Sequence, residues 1–220
     1  MYKLYNLDFR EVLPHIEEEV IIVTDPPYNI GFKYNSYQDN LPENEYYNNL
    51  KGLIDNYPCV LIAYHEILYK LAAYSNKVPD KVVEWIYPSN TNRQHRGIAY
   101  YHVQPDLNKV RQPYKNPKDK RIQKLIRNGS NGARSYDWWE IPQVKNVSHE
   151  KGVHPCPTPV KLMENIIKTL PQDYVICDPF MGGGTTGVAS LRNNRDFIGC
   201  EIDKLYFNEA KAKQGSMLQL

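Results

Sequence analysis

Residues 174–187 read Tyr-Val-Ile-Cys-Asp178-Pro-Phe-Met-Gly182-Gly183-Gly184-Thr185-Thr186-Gly187. An apolar run ends in Asp178, a glycine turn follows, and two threonines able to cap a helix open the next stretch. This is the pattern of strand, tight turn and helix, in which glycine lets the backbone turn sharply and come close to a ligand. Such turns hold phosphates in many proteins; a turn with no ligand is the plain alternative. The spacing is not Gly-x-Gly-x-x-Gly and no Lys follows the glycines, which argues against a dinucleotide site and against a P-loop. About twenty residues on, Phe197-Ile-Gly-Cys-Glu201-Ile-Asp203 forms a second apolar run with an acidic end. A carboxylate there can accept from both ribose hydroxyls of an adenosyl group. Glu201 comes first off the strand and is preferred to Asp203; a surface carboxylate is the alternative.

On the N-terminal side lie more short apolar runs, each too uniform for a sheet with one wet face: Val20–Thr24, Pro58–Tyr64 and Val82–Ile86, with Tyr174–Cys177 and Phe197–Cys200 completing the five. Ile98–Val103 is a sixth candidate. Helical patterns fall between them, at Glu45–Leu53, Glu66–Tyr74, Pro159–Leu170, Thr185–Asn193 and Lys204–Lys213. Alternation of this kind predicts an α/β fold with a doubly wound, Rossmann-like parallel sheet in a single domain. Residues 104–147 break the alternation, with one short helix expected at Lys120–Arg127, and read as an insertion on that domain.

A second motif stands at the end of the first of these strands: Val20-Ile-Ile-Val-Thr-Asp25-Pro26-Pro27-Tyr28-Asn29. Two prolines remove two backbone donors and stiffen the turn. Asp25 adds a carboxylate and Tyr28 an aromatic face. Together they suit a flat ring bearing an –NH₂ group, held by its hydrogens and stacked. Acceptors at both N–H bonds steer the nitrogen lone pair toward an electrophile, which is positioning plus electrostatics. A Pro-Pro turn with no ligand is the alternative.

Composition narrows the partners. The net charge of +2 is uneven: Pro88–Ser148 holds 12 Lys and Arg against 4 Asp and Glu, a surplus of eight, and the remainder is six negative. The same segment carries Tyr100, Tyr101, Tyr114, Tyr136, Trp138 and Trp139, and the whole chain has 18 Tyr. Basic residues interleaved with aromatics suit a polyanion with stackable bases, that is, nucleic acid; a solvated charged face is the bland reading, and the tyrosine count also fits an A/T-rich coding bias. The candidate phosphate contacts are Arg93, Arg96, Lys109, Arg111, Lys115, Lys118, Lys120, Arg121 and Lys124. Trp138 and Trp139 either wedge at an extruded base or, the preferred reading, plug the insert onto the core. Cys59, Cys156, Cys177 and Cys200 form no Cys-x-x-Cys pair, and His102, His149 and His154 show no metal spacing. A cytoplasmic protein without a membrane span or a metal is expected.

These residues resemble the DNA amino-methyltransferases, which modify adenine N6 or cytosine N4, in the permuted order that places the catalytic motif first, the recognition insert second and the cofactor motif last. The resemblance implies S-adenosylmethionine as cofactor and double-stranded DNA, with its target base flipped out, as substrate. It implies that Asp25, Pro26, Pro27 and Tyr28 hold and stack the base, and that Asp25 also borders the cofactor. Asp178, Pro179, Phe180, Gly182, Gly184, Thr185 and Thr186 would cradle the methionine part, and Glu201 with Ile202 the ribose end. His154-Pro155-Cys156-Pro157-Thr158-Pro159 resembles the segment beside the methionine, bringing in His154, Pro155 and Thr158. Asp8 stands where the family often has Gly-Asp near the adenine.

The chain departs from the family at Gly183, where Ser is more usual, at Thr158, where adenine enzymes often have Lys, and at Leu7, where Gly is usual. Asp at the head of the catalytic motif favours adenine; Thr158 speaks mildly for cytosine. An RNA base methyltransferase and a non-catalytic nucleic-acid-binding protein on the same fold are the other readings, with a homodimer left open and any restriction activity expected on another chain.

Overall fold

The apolar runs form the middle of one eight-stranded mixed sheet in the computed structural model, which describes residues 1–89, 92–145, 150 and 152–217. His149 and the end of the expected insert, Val147 and Ser148, lie outside the described residues. The strands are β1 (Tyr2–Tyr5), β2 (Val20–Thr24), β3 (Cys59–Ala63), β4 (Lys81–Ile86), β5 (His95–Tyr101), β6 (Arg111–Gln112), β7 (Ala133–Arg134), β8 (Trp138–Glu140), β9 (Val175–Asp178) and β10 (Phe197–Cys200). The helices are α1 (Phe9–Val12), α2 (Glu43–Asn56), α3 (His65–Ser75), α4 (Lys120–Arg127), α5 (Val160–Thr169), α6 (Thr185–Arg192) and α7 (Lys204–Met217). In space the large sheet runs β1-β10-β9-β2-β3-β5-β4-β8, with β6 and β7 forming a separate ribbon.

Alternate residues of β2 explain the layering. Ile22 faces a core built with Phe9, Leu50, Leu53 and Leu71 of α1, α2 and α3. Ile21 and Val23 face the opposite core, built with Leu162, Ile166, Ala189 and Ala210 of α5, α6 and α7. Every residue of β2, β3, β9 and β10 is buried, so these strands read as unbroken apolar runs.

The sheet is mostly parallel, as expected, and departs from that only at β5, which is antiparallel to both β3 and β4. Direction cannot be read from an apolar run, because a strand buried on both faces has the same pattern either way. The insert also begins later than expected from its charge: β5 belongs to the sheet, and only the chain after it leaves the α/β core. It returns through β8, which pairs parallel to β4 and buries Trp139 against Trp85 and Tyr87. Trp138 remains 42% exposed. Among the described residues no helix is long and apolar enough to cross a membrane.

Candidate active site

β2 and β9 are neighbours, yet the chain leaves β2 toward β3 on one side and β9 toward β10 on the other. Such a reversal opens a crevice at the carboxyl ends of the strands. A cavity of about 470 Å³ fills it, bordered by Asp25–Tyr28 after β2, Asp178–Gly183 after β9 and Glu201–Asp203 after β10. The two sequence motifs are joined across it by a hydrogen bond of 2.7 Å from Thr24 Oγ1 to Asp178 Oδ1.

Asp178 is 2% exposed and works as a clamp. Its carboxylate accepts from Thr24, from Thr186 Oγ1 at 2.5 Å and from the Phe180 N–H at 3.0 Å. Burial raises its pKa to about 6, against the pull of these donors. The expectation that Asp178 and Thr186 both face a ligand is therefore refined: their side chains are engaged with each other and shape the turn. Gly184 stands apart from the other residues of the turn. It does not border the cavity; it takes φ +83°, and a Cβ there would stand 2.4 Å from Gln214 Nε2 and 2.7 Å from Ala210 Cβ. Its missing side chain lets α7 pack against the turn. Gly182, at φ +49°, does border the cavity; a Cβ would stand 3.0 Å from His154 Nε2. Phe180 packs on Phe9 with ring centroids 4.9 Å apart.

Glu201 is fixed by two backbone donors, Gly182 N–H at 2.9 Å and Asp203 N–H at 2.8 Å. Burial raises its pKa to about 7. Ile202 lies beside it, 39% exposed at the cavity wall. Asp8 caps α1 and pairs with Arg10 at 2.8 Å, on the same wall. His154 lies under the glycine turn; its ring meets Tyr206 edge-on at 4.7 Å and Tyr34 face-on at 6.1 Å. Pro155 is not among the cavity-lining residues, whereas Thr185 and Pro179 are.

At the other end, Asp25 gathers three donors. Thr158 Oγ1 donates to Oδ2 at 2.6 Å, Arg96 Nη1 donates to the same oxygen at 3.2 Å, and the Tyr28 hydroxyl donates to Oδ1. Thr158, expected from the sequence at the cofactor, lines the cavity and donates to the Asp25 carboxylate. Burial, with the nearby Asp25 charge, raises the Tyr28 phenol well above its ordinary value, so it is a donor. The Tyr46 hydroxyl donates to the Pro27 carbonyl at 3.0 Å and fixes the turn.

Arg96 departs from its expected role as a surface phosphate contact. Because β5 is antiparallel, its start, not its end, lies at the crevice, and the Arg96 side chain is only 14% exposed. The other candidate cations among the described residues are on the surface. Arg93 lies 4.5 Å over the Tyr64 ring, and Lys115 lies 5.1 Å over Tyr136, which stacks on Trp138 at 5.3 Å. Lys120, Arg121 and Lys124 stand on α4, which buries no residue. Arg111 pairs directly across the ribbon with Arg134, a residue missed in the sequence reading. Like charges placed opposite each other repel, unless an anion lies over them.

The strap at 29–41 was also missed. The buried Asp39 carboxylate accepts from the N–H groups of Asn29 (2.7 Å), Ile30 (3.1 Å) and Phe32 (2.9 Å). Ser36 reaches across to Asp203 at 2.5 Å. The only local signal was Asp39 behind Asn29 and Gly31, two residues at positive φ. Among the described residues no group of three His, Cys, Asp or Glu could hold a metal ion.

The crevice thus has the Asp25 carboxylate at one end and the Glu201 carboxylate at the other. The chain belongs to the DNA methylase family of the N6/N4 type, whose pattern matches residues 20–212. Among individual proteins it is similar to the type II methyltransferase M.HpaI of Haemophilus parainfluenzae, 28% identical over 94% of this chain and 72% of that one. Of solved structures, the M1.HpyAVI–SAM complex aligns at TM-score 0.58 and 24% identity, over 97% of this chain and 100% of that one. The PvuII DNA methyltransferase (cytosine-N4-specific) aligns at TM-score 0.64 and 18% identity, over 99% and 93%. The last two likenesses are of fold.

Proposed function

We propose that this protein transfers a methyl group from S-adenosylmethionine to the exocyclic N6 of adenine in double-stranded DNA. The observation that carries the reading is the Asp25 carboxylate, anchored between Tyr28 and Thr158 beside the cavity that Glu201 borders.

The residues present fit the cofactor. Glu201 keeps lone pairs for ribose hydroxyls beyond the two backbone donors that orient it, Phe9, Phe180 and Ile202 offer apolar walls, and Gly182 and Gly183 leave the floor without side chains. S-adenosylmethionine, when bound, would supply an electrophilic methyl group and leave as S-adenosylhomocysteine, one amino proton passing to solvent. This chain supplies the rest. Asp25 accepts from the amino group, whose charge becomes more positive as the new bond forms, so the carboxylate matters most at the transition state. Tyr28 supplies a face for the ring, and Tyr46 keeps the turn rigid through the Pro27 carbonyl.

The reading includes a flipped base, since an amino group inside a duplex cannot reach a carboxylate in a crevice. The basic helix α4, the Arg111–Arg134 ribbon and the Lys115–Tyr136–Trp138 stack supply cations and an aromatic platform for the duplex. Adenine is preferred because Asp heads the catalytic motif. The test is nucleoside mass spectrometry on DNA and on RNA incubated with the protein and labelled cofactor. Label in N6-methyladenine is expected. Label only in N4-methylcytosine overturns the base, label only in RNA overturns the polymer, and no label from a folded, cofactor-binding protein overturns the reaction.

A further inference from the structure

Arg96 lies where the reading above puts the base. Its guanidinium is 5.1 Å over the Tyr28 ring and is boxed by Trp85 (5.0 Å), Tyr64 (5.2 Å) and Tyr87 (5.8 Å). One edge donates to Asp25 Oδ2 at 3.2 Å, while Nε, also buried, has no hydrogen-bond partner. As a device for stability alone this is a poor arrangement: a buried cation loses its hydration, and one of its donors is left unspent.

As an occupant of this pocket the guanidinium makes chemical sense. It is flat, it stacks on aromatic faces, and it presents N–H bonds in its plane to a carboxylate. The amino-bearing edge of adenine or cytosine is an amidine: an –NH₂ on a ring carbon next to a ring nitrogen, equally flat, equally able to stack on Tyr28 and to donate to Asp25. Two such groups cannot share one carboxylate edge and one ring face. We propose that Arg96 is a stand-in for the target base, holding Asp25 and the Tyr28 face in working geometry until the base displaces it. Base entry is then an exchange of one flat donor for another, not the filling of an open slot. Asp25 keeps a donor on each oxygen through the exchange, because Tyr28 and Thr158 remain.

The inference rests on the amino-methyltransferase reading, and its test separates the two. The full chain and its Arg96→Ala and Arg96→Gln variants are checked for folding by thermal melting and for cofactor binding. 2′-Deoxyadenosine and 2′-deoxycytidine are then titrated into each by calorimetry, with and without millimolar guanidinium chloride. In Arg96→Ala, one of the two nucleosides is expected to bind about tenfold tighter than in the parent or better, and guanidinium ion to compete with it. Arg96→Gln, flat but uncharged, falls between. An arginine with a merely structural role would produce no such competition. Folded, cofactor-binding variants that take neither nucleoside more tightly than the parent overturn the proposal, as does simultaneous binding of nucleoside and guanidinium. Competition without methylation of DNA by the parent protein keeps the exchange and removes the reaction; methylation without competition does the reverse.

Discussion

Asp25 and Glu201 are carboxylates at the ends of two strands of one sheet, and their neighbours give them different tasks. Asp25 is surrounded by side-chain donors, so removing it strikes at the base: Asp25→Ala should lower kcat/KM by about a thousandfold or more, roughly 4 kcal/mol, with cofactor affinity in calorimetry changed less than about threefold. Because that variant strands the Arg96 cation, Asp25→Asn is the companion, and it should lose turnover while melting near the parent. Glu201 is held by two amides and raised by burial to about 7. The free folded protein therefore holds a proton that an unfolded chain releases near its ordinary 4.5. Stability contributed by this site falls as pH rises from 4.5 toward 7, since the unfolded state binds fewer protons there. With Glu201 as the proposed ribose acceptor, cofactor binding uses the charged form, so its affinity should rise with pH up to about 7, by up to about tenfold per unit, and then level off. Glu201→Gln should flatten that profile; a parent profile already flat between pH 5 and 8 would remove Glu201 from the ribose role.

Elements differ in how much of them the sequence could disclose. β2, β3, β9 and β10 were legible because strands buried on both faces have no polar alternation to confuse them. β1 was not, since Tyr-Lys-Leu-Tyr at the sheet edge is mostly half-buried, and β8 was not, since three residues become a strand only by pairing with β4. At the site, the two ends of the crevice could be read from Asp25–Tyr28 and from Asp178–Glu201. The place of Arg96 could not, because it depends on the direction of β5. The strap 29–41 was hidden for a similar reason: Asp39 organises it from up to ten residues away. Asp39→Ala leaves three backbone N–H groups without their acceptor. The expected result is a loss of cofactor affinity of about tenfold and faster proteolysis within 30–38, with Tm changed by only a few degrees; unchanged cleavage would show that the strap holds itself. The turn before α6 makes the opposite prediction. Gly184→Ala puts a methyl group into Gln214 and Ala210 at a positive φ, and should cost about 2–4 kcal/mol in denaturant unfolding.

At the scale of the molecule, the charges are sorted by place: the cations of α4 and the ribbon stand on the excursion after β5, while acidic groups line the crevice. DNA affinity should fall steeply with salt, and replacing Lys118, Lys120 and Arg121 together should reduce the log–log slope by about two to three while sparing cofactor binding. A slope indifferent to all three would place the duplex elsewhere. The strand order carries a different consequence. β2 and β9 touch along Val20–Ile22 and Val175–Cys177, so the two walls of the crevice are neighbours in space although Thr24 and Asp178 stand 154 positions apart along the chain. A ribosome that has not yet reached β9 has made the Asp25 wall of the crevice without the Asp178 and Glu201 wall. The crevice can close only once β9 and β10 have been made, so a product that stops short of β9 is expected to bind no cofactor.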